Sequence, residues 1–112
     1  MAAAGMASAA LAAPGDPMVT LIATRPIPEP ALIVELRDAD GVPVWPVPGE
    51  ILFASGKPKA VTLREGGLHY AFGATRPVAL RLDMTRFGAG RLSYPIPSGS
   101  GARITLRYVA GE

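Results

Sequence analysis

Apolar and polar residues alternate one by one through most of this chain beyond residue 17. In residues 102–109, Ile104, Leu106 and Tyr108 alternate with Arg103, Thr105 and Arg107. In residues 78–84, Val78, Leu80, Leu82 and Met84 alternate with Ala79, Arg81 and Asp83. A period of two places the apolar set on one face and the charged set on the other. These two segments predict a half-buried antiparallel sheet in which they are partners. Residues 31–37 repeat the pattern, with Leu32, Val34 and Leu36 on one face and Ile33, Glu35 and Arg37 on the other.

Shorter runs of the same type occupy residues 18–24, 50–54, 59–64, 68–72 and 91–94, and residues 42–47 read as an edge or irregular strand. Turn residues separate them. Asp38-Ala39-Asp40-Gly41 predicts a hairpin turn, because Gly accepts positive φ and Asp can bond its own backbone. Pro48-Gly49 and residues 55–58 predict further turns. Glu65-Gly66-Gly67 predicts a hairpin joining 59–64 to 68–72. Pro26, Pro28 and Pro30 cannot donate to a ladder, so residues 25–30 are expected to form a stiff crossing between two sheets. Trp45, between Pro43 and Pro46, is expected to be at least partly buried. Residues 85–90 read as a glycine-softened loop. The fold class predicted is all-β: a small antiparallel β-sandwich, jelly-roll or immunoglobulin-like, of about seven to nine short strands.

Residues 1–13 hold only Ala, Gly, Met, Ser and Leu, and the first charge is Asp16. Residues 1–17 are therefore read as an uncharged Ala-rich arm, extended or briefly helical, before a single domain at 18–112. A secretory signal carries a basic start, which is missing here, since no Lys or Arg precedes Arg25. The apolar run is too short to span a bilayer.

Composition narrows the chemistry. Charged residues are 18% of the chain and apolar residues 49%, so few charges are available to cover the surface of a small domain. The net charge of +2 is spread along the chain and interleaved with acids, which does not make a nucleic-acid footprint. There is no cysteine, which removes disulfides and thiolate chemistry. His69 stands alone, and a metal centre requires several such ligands. Asp38 and Asp40 lack the later oxygen ligands and closing Glu of a calcium loop. Gly56-Lys57 lacks the rest of a phosphate loop. Ser55, Ser93, Ser98 and Ser100 offer no nucleophile elbow. Catalytic residues, cofactors and metal ligands are thus all expected to be absent.

What remains is surface. Glu35, Arg37, Arg81, Asp83, Arg103 and Arg107 are expected to form one mixed-charge face if their strands are neighbours. Arg is enriched at protein interfaces. Trp45, Phe87 and Ile96 are expected to add apolar anchors, and Met1, Met6 and Leu11 to do so from the arm. With Arg81, Arg103 and Arg107, these form the candidate interface. The reading is a non-catalytic structural subunit, by architectural analogy with virion decoration, fibre or tail components. Its partners would be copies of itself or another structural protein, without nucleic acid or a membrane span. The alternative is an exported module for carbohydrate or peptide, with residues 1–13 as a signal remnant.

Overall fold

A computed structural model describes residues 17–110. The alternating segments form eight strands. They are β1 (Met18–Ile27), β2 (Ala31–Asp38), β3 (Val47–Phe53), β4 (Lys59–Leu63), β5 (Leu68–Ala71), β6 (Pro77–Met84), β7 (Gly90–Pro95) and β8 (Gly101–Val109). One 3-10 turn, η1 (Thr85–Phe87), interrupts the region read as a loop. The strands make two four-stranded sheets. The first has the order β1-β8-β2-β5 and the second β4-β3-β6-β7. The arrangement is all-β and sandwich-like.

Both sheets feed one buried cluster. Leu32, Val34, Leu36, Ile104 and Leu106 come from the first, and Val47, Ile51, Leu63, Leu80, Leu82 and Met84 from the second. These are the apolar positions of each alternating run, so burial follows the pattern. Burial of this apolar surface is the dominant favourable term in folding.

Neighbour relations depart from the sequence reading in four places. The segments 78–84 and 102–109 are not partners. β6 lies between β3 and β7, whereas β8 lies between β1 and β2. Alternation assigns a face, not a neighbour. Second, β8 runs parallel to β2, so the first sheet is mixed rather than antiparallel. Third, β4 and β5 do not form a hairpin: β4 pairs with β3, and β5 with β2. Gly67 makes the tight turn by which the chain changes sheets, bonding Arg64 in both directions, with N–H···O lengths of 2.8 and 3.2 Å. Its φ of +87° suits glycine, and a Cβ there would collide with the Val34 carbonyl. Fourth, Pro48-Gly49 is no turn but part of β3. The ladder to β6 begins only at Gly49, so Pro48 has a ladder neighbour on one side alone, Thr62 of β4.

The proline-rich stretch crosses within one sheet rather than between two. Pro26 lies in edge strand β1, opposite Ala102. Residues 28–30 then pass over the start of β8 to reach β2, since β8 lies between β1 and β2. The Asp38 turn forms as expected: its Oδ1 accepts from the N–H of Asp40 and of Val42, both at 2.9 Å. It does not continue into a strand, and Pro43 makes only an isolated bridge to Arg37.

One prediction arises from the packing. Tyr94 lies on the inward side of β7, and burial pushes its hydroxyl up to about 12 from a usual value of 10.0. The unfolded chain ionises near the ordinary value while the folded chain resists. Stability is therefore intact below pH 10 and is lost as pH rises from 10 toward 12. Denaturant titrations of Tyr94→Phe at pH 8 and pH 11 should show a smaller alkaline loss than the native sequence does.

Candidate interaction faces

The six charged residues expected on one face are divided between the two sheets. Glu35 and Arg37 on β2 adjoin Arg103 and Arg107 on β8. Arg81 and Asp83 lie on β6, in the second sheet. Each set is opposite the buried face of its own strand.

On the first sheet, register brings arginines together. Arg25 of β1 stands directly opposite Arg103, and Arg37 directly opposite Arg107. Thr105 and Glu35 are paired between them. Glu35 meets Arg103 at 3.3 Å, and the Arg37 guanidinium donates to the Gly41 carbonyl at 2.9 Å. Among the described residues Arg25 and Arg107 make no ion pair. Arg25 belongs to this face although the sequence reading left it out. Its position depends on the pairing of β1 with β8 and on the irregularity between Leu21 and Ala23, which alternation alone does not reveal.

On the second sheet, charges are balanced. Arg81 faces Glu50 at 3.7 Å, and Arg91 faces Asp83 at 3.9 Å. These residues border a depression of about 430 Å³ whose lining also includes Pro48, Gly49 and Ala60. The Thr85 hydroxyl donates to Asp83 Oδ1 at 2.6 Å and the Thr85 N–H at 3.0 Å. These bonds hold the Asp83 carboxyl below its usual range, with a smaller push from Arg91. Another depression, about 340 Å³, is lined by Phe53, Tyr70, Ser55, Lys57, Lys59 and the loop 73–75.

The apolar anchors separate as well. Ile96 is not a surface residue: it is 8% exposed, in the core cluster, and its N–H donates to the Val78 carbonyl at 3.0 Å. Phe87 is tucked edge-on against Tyr108, with ring centroids 5.7 Å apart, and its carbonyl accepts from the Tyr108 hydroxyl at 3.0 Å. Trp45, expected to be partly buried, is 47% exposed. Met1, Met6 and Leu11 lie outside the described residues.

The sequence reading gave a strand at 18–24, the first part of β1, but left it out of the candidate interface. This ten-residue strand is an edge of the first sheet. It exposes Leu21 (45%) and Ile22 (48%), and Val109, opposite Met18, is 41% exposed. Its signal was an apolar run, 18–24, with no charge to blunt it.

No family model, curated protein or solved structure matches this chain. The faces are therefore read from their own chemistry. His69 Nε2 lies 2.7 Å from a Glu29 carboxylate oxygen, which ties β5 to the crossing over β8. Among the described residues no three His, Cys, Asp or Glu side chains are grouped to hold a metal ion. No helix among them is long and apolar enough to cross a membrane.

Proposed function

We propose that the chain is a non-catalytic structural subunit of a larger protein assembly, of the kind that decorates a virus particle or forms its fibre or tail. In this reading residues 18–112 are one β-sandwich domain, jelly-roll or immunoglobulin-like, and residues 1–17 are an arm that lies on a neighbour. The observation that carries it is the edge position of β1, which among the described residues pairs on one side alone, with β8. A long edge strand with exposed Leu and Ile beside it offers unpaired backbone groups to another chain. Soluble monomers blunt such edges with charge, short length or a covering loop, and residues 18–24 carry no charge. The low charge fraction of the whole chain points the same way.

At the depression of the second sheet, the Asp83 carboxyl is held low by its bonds from Thr85, which does not suit it as a general acid at neutral pH. The Glu50 and Asp83 carboxylates are each engaged by an arginine. The test is to place Lys in the edge through Ile22→Lys, and separately to remove residues 1–15. Both proteins should keep the fold by circular dichroism and lose assembly. Assembly equal to that of the native chain in both would overturn the reading.

A second reading, an exported module for carbohydrate or peptide, is favoured by the depression at Phe53 and Tyr70. Aromatic rings beside lysines suit a sugar or an extended peptide. Saturable binding of an oligosaccharide, abolished by Tyr70→Ala, would support it.

A further inference from the structure

We infer that the charged face of the first sheet docks an acidic segment of a partner protein, with carboxylates meeting two arginine pairs about 13 Å apart. Arg25 opposite Arg103 makes one pair, and Arg37 opposite Arg107 the other. Like charges directly opposite each other on neighbouring strands destabilise a sheet. This face has two such pairs, one on each side of β8. Among the described residues Glu35 is the acid that ion-pairs with one of these four arginines, while Glu29 on the same face is engaged by His69. An isolated chain would be better served by acids at either position. A partner that brings carboxylates to the face turns the repulsion into attraction.

The pattern also selects the class of partner. The basic residues here are all arginines, since Lys57 and Lys59 lie elsewhere. Planar guanidinium forks match carboxylates bidentately. No aromatic side chain lies among these arginines to stack a base or a sugar. Glu35 and Thr105, paired at the middle, interrupt the positive charge. A uniformly charged phosphate chain would meet that carboxylate. A peptide can instead place acids at both ends and a neutral or donor residue between them. An extended peptide advances about 3.3 Å per residue, so acids four residues apart reach both arginine pairs. The inference rests on the assembly reading only in taking the partner to be a protein.

The test uses the full chain and two labelled probes. One is a synthetic peptide with two Glu pairs four residues apart among Ser and Thr. The other is single-stranded oligothymidylate. Fluorescence anisotropy should show saturable peptide binding that weakens as salt is raised. The double variant Arg25→Gln with Arg107→Gln should raise Kd about tenfold or more, without lowering the melting temperature, because each change relieves an arginine pair. Arg81→Gln with Arg91→Gln on the second sheet should leave Kd unchanged. Absent peptide binding, or an equal loss in both double variants, would overturn the inference. So would oligothymidylate binding as tightly as the peptide. A chain that is monomeric yet binds the peptide at this face would contradict the assembly reading and still support the inference.

Discussion

Gly101→Ala should abolish or nearly abolish folding, with a loss of about 4 kcal/mol or more. The reason lies in how β1 reaches β2. Ile27 ends β1 opposite Gly101, and residues 28–30 then cross over the start of β8 to begin β2 at Ala31. The crossing runs directly against the Gly101 backbone. A Cβ there would collide with the Glu29 carbonyl and would lie 2.6 Å from the Ala31 carbonyl oxygen and 2.9 Å from the Ala31 nitrogen. All three are backbone atoms, so no side-chain rotation relieves the clash. Ser100 reinforces the arrangement by donating its hydroxyl to the Ile27 carbonyl at 2.6 Å. Gly73→Ala is the control: its Cβ would meet nothing within 4 Å. It should be neutral, or stabilise slightly by restricting the unfolded chain. Thermal unfolding of the two variants should therefore differ widely, although both replace a loop-like glycine.

The second large effect is expected at Ile104→Ala. Ile104 is 0% exposed and sits at the centre of β8, between Thr24 of β1 and Val34 of β2. Removing its branched side chain deletes buried apolar atoms and leaves a cavity, at a cost of about 2–5 kcal/mol. In a domain of this size that lowers the melting temperature by roughly 10 °C or more. Leu21→Ala on the exposed edge should cost far less in an isolated chain, because little of its surface is withdrawn from water. Equal losses at Ile104 and Leu21 would mean that the two are packed alike, against the burial described for β1 and β8.

The strand content of this fold was legible from residue alternation, and so was much of the core. Leu32, Val34, Leu36, Leu80, Leu82, Met84, Ile104 and Leu106 are buried where the period of two puts them. Pairing was not legible, because it depends on contacts distant in sequence. The turn at Glu65-Gly66-Gly67 has the same local chemistry whether the chain folds back on itself or leaves for another sheet. Pro48-Gly49 has the composition of a turn, yet the strand uses it. Gly49 is tightly approached there, since a Cβ would stand 2.5 Å from the Arg81 carbonyl oxygen. Ser98-Gly99-Ser100-Gly101 has the composition of a flexible loop, yet among the described glycines its last one is where an added Cβ would meet backbone most closely. The candidate face followed the same rule. Arg103 and Arg107 were recognised from their own strand, but Arg25 and Arg37 became their cross-strand neighbours only once β8 was placed between β1 and β2.

The central claim, that this chain works by assembly, is tested most directly by the mass of the 112-residue chain in solution, measured by sedimentation at several concentrations. The account predicts a species of defined mass several times the 11.6 kDa of one chain. A single species at the mass of one chain across the whole concentration range would contradict it.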